Sequence, residues 1–493
     1  MSRDWTSTLV RARSAQDGGD LALAARLLAD AGGDPTAPDD ALRLLSGVLR
    51  AQGRHAEALP LLETLTRRRP TSAVAEHNLA AALGDCGRAG DSEQAAERAL
   101  TKGGAAPETW LVLGRARTSQ GKLAQAEDAF RQALAQRPDF LPAYRDLAQL
   151  LWMQDGDLTR MTQAVAPLAA LAGVREDAAL LYATILRDTA GDGAALQSLA
   201  AWVERGSVEA ALAAAAAASG LDPRLALQHA QRAQAQAPHD QRARLAVLTA
   251  LIAAGRAELA TAGLEDHLRR DPGDQHARAL LLTAWRLVDD PRALTTEDYA
   301  RLVRTYRLAE DDAADRGAWL ARTAAALRRL HPFRSHPFQQ SIQHGAQSMI
   351  DPRAAGDPDI DRLFEALRAP IDAYIADVRP GGLAPTAGGW SMSGAWSVKL
   401  KAGGLHTDHV HPRAWVSSAA YIETPPTVEA GGHEGWLRFG AARIGAAFAL
   451  PAQHWVRPEP GTLVLFPSYL WHGTEPFSGS GERLTVAFDL QPA

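Results

Sequence analysis

Disulfide chemistry is all but missing from this chain: there is a single cysteine, Cys86, in 493 residues. That excludes a disulfide framework and fits a reducing compartment, so a cytoplasmic location is expected. Long apolar runs are missing as well. The longest, residues 210–218, is nine residues of mostly alanine, whereas a bilayer-spanning helix needs about 20. The opening Met1-Ser-Arg-Asp-Trp-Thr-Ser-Thr offers no apolar core of signal-peptide length. Neither sign of charge dominates: 52 Lys and Arg stand against 57 Asp and Glu, giving a net charge of -5. No broad basic face follows from that balance, so nucleic acid is not expected as a partner, and neither is a membrane.

What is present is unevenly distributed. Up to about residue 330 the chain is rich in Ala, Leu and Arg at helical spacing, and after 380 it turns to Gly, Pro, Trp and β-branched residues. Six of the 15 histidines lie between 406 and 472, and six of the 12 tryptophans between 390 and 471. Such clustering predicts a second domain with different work to do.

The first part carries a period of 34 residues. Gly53, Gly87 and Gly121 are spaced by it, as are Pro238 and Pro272, while Pro70 and Pro138 lie at twice that distance. Within residues 107–138, Trp110, Leu113, Gly114, Gly121, Ala126, Phe130, Ala133 and Pro138 fall at the positions of a tetratricopeptide repeat. Small residues at 114 and 126 let two helices approach, large ones fill the wedge, Gly121 turns the chain and Pro138 ends the pair. The register drifts over residues 155–225 and returns around Gly255, Ala260 and Leu264. Six to eight helix pairs are expected over residues 1–290. Stacked pairs make a superhelix whose concave face binds a peptide or protein segment.

Residues 291–380 read as a helical bridge and lead-in. Residues 359–378 carry Ile360, Leu363, Leu367, Ile371 and Tyr374 on one helical face. From 381 to 493 short strand-like segments alternate with turn signals, at residues 395–400, 415–422, 436–439, 462–466 and 484–490. A small all-β barrel or jelly roll follows.

Within this region Leu405-His-Thr-Asp-His-Val-His-Pro412 places four metal-capable side chains in six residues. Ligands two apart on a strand point the same way, and a third from a later strand, His472, closes a face as in non-haem iron(II) sites. Two pairs compete: His406 with Asp408, or His409 with His411. On a regular strand 406 and 409 would face opposite ways, so only one pair could serve. Arg483 and Thr485 share a strand face, where a planar guanidinium and a hydroxyl suit a carboxylate. Trp396, Lys399, Tyr421 and Trp471 are candidates to line the pocket, and His344 and Gln347 to cover its mouth.

The segments His409-Val-His411-Pro412, Trp415-Val-Ser-Ser418, Gly435-Trp-Leu-Arg-Phe-Gly440, Gly461-Thr-Leu-Val-Leu-Phe-Pro-Ser468, His472 and Arg483-Leu-Thr485 resemble the 2-oxoglutarate- and Fe(II)-dependent oxygenases that follow tetratricopeptide repeats in bacteria. The resemblance covers the C-terminal third. It implies a double-stranded β-helix (a jelly-roll or cupin-like domain) with flanking helices, following the all-α array. It further implies Fe(II), 2-oxoglutarate and O2, with His409, His411 and His472 on the metal and Arg483 and Thr485 on the cosubstrate. No catalytic residue beyond these ligands is expected. The implied reaction is hydroxylation of a C–H bond coupled to decarboxylation of 2-oxoglutarate, on a peptide or protein held by the array. Two rivals stand beside it: a cupin-type three-histidine dioxygenase without 2-oxoglutarate, and a non-catalytic repeat scaffold with a relic metal-binding barrel.

Overall fold

The computed structural model describes residues 4–308, 313–378, 389–429, 432–445 and 450–492. Among them, seventeen α-helices follow one another from Trp5–Asp17 to Gln275–Leu287. The chain divides into two compact units, Met1–Leu150 and Leu151–Ala493.

In the first unit the 34-residue period is a period of turns. Gly53, Gly87 and Gly121 have φ of +75°, +74° and +72°, a region that side chains with a Cβ avoid. Each closes a helix in the same way: Arg54, Arg88 and Lys122 donate their N–H to Leu49, Leu83 and Arg117, each at 2.9 Å, the long bond of a Schellman cap. Between helices Pro107–Ser119 and Leu123–Gln136, a Cβ at Gly114 would run into the Phe130 ring. The missing side chain therefore brings the two backbones together, with Leu113, Ala126, Phe130 and Ala133 buried around the contact.

The second unit opens with eight more helices, from Leu158–Ala172 to Gln275–Leu287. They persist through residues 155–225, where the repeat signature fades. Helix Val208–Ala218 buries six alanines, so low volume replaces large-into-small packing there. Gly255 again has a positive φ, +72°, where the register returns. The face predicted over 359–378 is present, with Ile360, Leu363, Leu367, Ile371 and Tyr374 all fully buried. It is split between helices Pro358–Ala366 and Arg368–Val378. Pro370 has no N–H to bond back to Ala366, and its ring crowds that carbonyl, so the helix restarts there.

Nine strands follow the helices or are threaded among them: β1 Arg304–Arg307, β2 Ile342–Gln347, β3 Trp390–His406, β4 Val416–Glu423, β5 Leu437–Phe439, β6 His454–Val456, β7 Thr462–Pro467, β8 His472–Thr474 and β9 Arg483–Pro492. They form two antiparallel sheets, ordered β1-β7-β4-β9-β3-β2 and β6-β5-β8, a jelly-roll domain of the double-stranded β-helix type. The five segments expected from sequence are β3, β4, β5, β7 and β9. The strands that were not expected are the three-residue β6 and β8, too short to display alternation, and two contributed by the bridge. One apolar core joins this domain to the last array helices, running from Leu264 and Leu280 to Trp415, Phe439 and Phe466. Trp471 seals the joint by donating its indole N–H to Thr283 Oγ1 at 3.1 Å.

Candidate metal centre

β3 stops at His406, and the chain then leaves the large sheet and crosses toward β8. There His409 and His472 form an isolated antiparallel bridge, exchanging two backbone hydrogen bonds of 3.0 Å. Leaving the strand cancels the parity argument. His406 and His409 end on the same side, stacked with ring centroids 5.9 Å apart, and both touch Ser341 Oγ, His406 through Nδ1 at 2.9 Å and His409 through Nε2 at 3.3 Å.

His409, His411 and His472 converge, with one ring nitrogen of each within 4.8 Å of the others. Their tautomers follow from their partners. His409 Nδ1 lies 2.8 Å from the Thr407 carbonyl and His472 Nδ1 lies 2.9 Å from the Leu470 carbonyl; a carbonyl only accepts, so both Nδ1 atoms carry the proton. His411 Nδ1 lies 2.7 Å from Asp489 Oδ2, and Ser417 Oγ holds the other carboxylate oxygen at 2.8 Å. Each ring therefore keeps a lone pair on Nε2, and those of His409 and His411 face each other at 3.1 Å. Two bare acceptors that close repel, and either a shared proton or a metal cation between them relieves the repulsion. Three imidazole nitrogens turned toward one point are the donor chemistry of a transition-metal site, so the residues fit a metal ion. Burial, together with the neighbouring imidazoles, holds His472 well below its ordinary range and His409 down to about 3.

The competing pair is not brought together on this centre. Asp408 points to the other side of the crossing segment, where Arg438 grips both its oxygens, Nε to Oδ1 at 2.9 Å and Nη2 to Oδ2 at 2.6 Å. His406 stays at the cavity, lowered in pKa first by burial and then by His409 and Arg483.

The three Nε2 atoms open into a cavity of about 910 Å³. Arg483, Thr485, Ala487 and Asp489 all line it, as alternate residues of β9 must. Arg483 is only 2 % exposed. It donates to Thr474 Oγ1 at 2.9 Å and toward Tyr421 Oη at 3.4 Å, its Nε has no acceptor, and among the described residues no carboxylate pairs with it. A buried guanidinium without a counterion is costly, and a bound anion would remove that cost. At the other end the array supplies part of the wall through Arg187, Asp188 and Asp192, and Asp188 Oδ2 accepts the Gln339 N–H at 3.1 Å.

Among the pocket candidates, Trp396 lines the cavity and stacks on His411 at 5.9 Å and 19°. Tyr421 lies behind Arg483, and burial raises its pKa while the guanidinium opposes the rise. Lys399 is on the opposite face of β3, 3.8 Å from Glu482, and Trp471 faces the array, so neither reaches the cavity. Gln347 lines it; His344, exposed at an irregularity in β2, does not. Sequence reasoning missed Asp489, Ser341, Thr474 and Arg438. Stepping by two from Arg483 along β9 would have found Asp489, and the same step from His472 would have found Thr474. Ser341 and Arg438 carry no such local signal.

Residues 394–489 match the family described as "Putative 2OG-Fe(II) oxygenase", and residues 107–150 match the tetratricopeptide repeat. The chain thus carries an oxygenase-type domain behind tetratricopeptide repeats. No curated protein matches it. Among solved structures, similarity extends to a Pseudomonas putida prolyl-4-hydroxylase at 18% identity, covering 41% of this chain and 98% of that one with a TM-score of 0.27. A tetratricopeptide repeat protein from Parabacteroides merdae shares 14% identity over 49% of this chain and 97% of its own, with a TM-score of 0.35. Yeast Tom70 shares 13% over 61% and 66%, with a TM-score of 0.42. Among the described residues no helix is long and apolar enough to cross a membrane.

Proposed function

We propose that this protein is an Fe(II)- and 2-oxoglutarate-dependent dioxygenase that hydroxylates a peptide or protein segment recruited by its helical array. In this reading residues 1–290 recruit, 291–380 bridge and 381–493 react. His409, His411 and His472 hold the iron through Nε2. Arg483, with Thr485 beside it, takes the far carboxylate of 2-oxoglutarate. When bound, iron and cosubstrate would supply the activation of O2 and the oxidation of a C–H bond.

The chain's own residues do the rest. Asp489 fixes the His411 tautomer and ring orientation, which keeps its Nε2 lone pair on the centre. Thr474 and Tyr421 hold the Arg483 fork in one orientation before the anion arrives. Val398, Leu437 and Phe466 give the cavity dry walls, which strengthens every charge interaction inside. The observation that carries the proposal is a buried guanidinium lacking a counterion in the same cavity as three converging imidazole lone pairs. The three-histidine donor set also suits a cupin-type dioxygenase, but such an enzyme would leave Arg483 without an anion.

The test is anaerobic addition of Fe(II) and 2-oxoglutarate, following the visible charge-transfer band of the chelate. Wild type and Asp408→Ala are expected to develop it, with Asp408→Ala binding iron less tightly, and His411→Ala and Arg483→Ala to fail. A band in Arg483→Ala equal to that of wild type would remove the cosubstrate anchor, and no band in wild type would leave the scaffold reading.

A further inference from the structure

Beside the proposed centre lies a half-buried ion pair that the proposed chemistry does not use. β5 and β8 pair so that Arg438 lies opposite Gly473, the residue after His472. Arg438 reaches across Gly473 to Asp408, the residue before His409. The pair is shielded, with side chains 20 % and 8 % exposed. Arg438 is itself held from behind: its Nη1 donates to Glu475 Oε2 at 2.9 Å, and Trp455 Nε1 donates to Glu475 Oε1 at 3.2 Å. The fit is close. A Cβ on Gly473 would lie 2.6 Å from Asp408 Oδ1 and 2.9 Å from the His406 carbonyl. The segment bearing His409 and His411 is held by few backbone bonds: the two of the His409–His472 bridge, Thr407 N–H to Ser341 O at 2.8 Å and His411 N–H to Ser468 O at 3.0 Å.

We infer that Asp408 and Arg438 are a positioning pair that fixes the spacing of His409 and His472, and through it the affinity and geometry of the metal centre. The inference rests on the proposed three-histidine site. Each member of the pair adjoins a ligand-bearing backbone: Asp408 is the neighbour of His409, and Arg438 is bonded across the small sheet beside His472. A bidentate arginine–carboxylate pair is directional as well as strong. It therefore adds a side-chain restraint, beside those backbone bonds, on how far the two backbones can slide and turn relative to each other. It also keeps a carboxylate adjacent to a ligand turned away from the centre, so the donor set stays all-imidazole.

The test is titration of the metal-free full chain with Co(II), reading affinity and the shape of the visible d–d absorption, beside the thermal midpoint without metal. Arg438→Ala and Asp408→Ala are each expected to bind Co(II) roughly 10–100-fold more weakly, as outer-shell changes do, with an altered band. The double variant should lose no more than either single one, because the two act as a unit. Arg438→Lys should recover part of the loss. Gly473→Ala, which keeps both charges but displaces the carboxylate, should mimic the loss even where the charge-deleting variants fold poorly. Unchanged affinity and band in Arg438→Ala and Gly473→Ala, with only a lower midpoint, would overturn the inference, because the pair would then merely support the fold. Loss of binding in Asp408→Ala with wild-type binding in Arg438→Ala would also overturn it, by making Asp408 a ligand. If wild type binds no Co(II), the metal site itself is refuted.

Discussion

The His–Asp groupings at His267 and at His411 are similar in composition and differ in what they leave open. In the array, His267 Nε2 meets Asp274 Oδ2 at 2.8 Å, with Asp271 nearby. In the β-domain, His411 Nδ1 meets Asp489 Oδ2 at 2.7 Å. The first is closed: Asp274 Oδ1 caps helix Gln275–Leu287 by accepting the Ala277 N–H at 2.9 Å, and Asp271 Oδ1 accepts the Gly273 N–H at 3.2 Å. The second is open, because its histidine bonds through Nδ1 and presents Nε2 to two more lone pairs. The lesson is one of accounting. Within the array, Glu93 shows the closed pattern, taking Arg117, Gln120 and Lys122 together. Around the proposed centre, Arg483, whose Nε has no acceptor, and three imidazoles face one cavity.

Breaking the open side should have the largest effect. Arg483→Met is expected to cut 2-oxoglutarate affinity at least about 100-fold, in line with the loss of a charge-assisted bidentate contact. It should also raise the thermal midpoint of the ligand-free protein, since an unpaired buried charge is replaced by an apolar chain of similar length. Calorimetric titration and a melting scan on one sample would show both, and a lower midpoint would mean that the guanidinium has a partner in solution.

Next comes the paired comparison itself. Asp489→Asn should weaken Co(II) binding about 10–100-fold. Asp274→Ala should leave it untouched and cost about 1 kcal/mol of stability through the lost cap. Equal metal affinities in the two variants would erase the distinction between the groupings.

A smaller effect follows from pH. His331, bonded through Nε2 to Ser397 at 2.9 Å, is held by burial down to about 4. Its folded pKa is below the unfolded value, so its neutral form contributes stability that is complete above pH 6.5. That stability is lost as pH falls from there toward 4. Urea unfolding at pH 7 and pH 5 should show the decline, and His331→Gln should flatten part of it; an unchanged slope would place the dependence on other groups. Smallest of all, Gly121→Ala should cost about 1 kcal/mol through its positive φ without altering metal binding.

The array was legible because its turns repeat: a glycine every 34 residues is a backbone requirement written directly in sequence. The long strands β3, β4 and β9 were legible for a similar reason, since alternation over many residues leaves a pattern. The three-residue β8 is too short for a pattern, although it carries His472, which only its residue type announced. Parity did not apply at 406–411, because the chain leaves the strand and crosses between sheets there, which puts His406 beside His409. Lys399 and Trp471 were misplaced because residue type alone does not say which face of a strand meets the cavity. Arg438 and Ser341 became visible only in three dimensions, each lying about 30 or more residues from the segment it contacts.

The shared core that runs from Leu264 and Leu280 to Trp415 and Phe439 bears on how such a chain can be rearranged. A β-domain that buries its own apolar face against the neighbouring helices is not a cassette. Grafting it onto a foreign array, by recombination or by design, must carry helices Gln241–Ala253, Ala257–Arg270 and Gln275–Leu287 along with it, because a cut between them and the sheets would expose both halves of one interior.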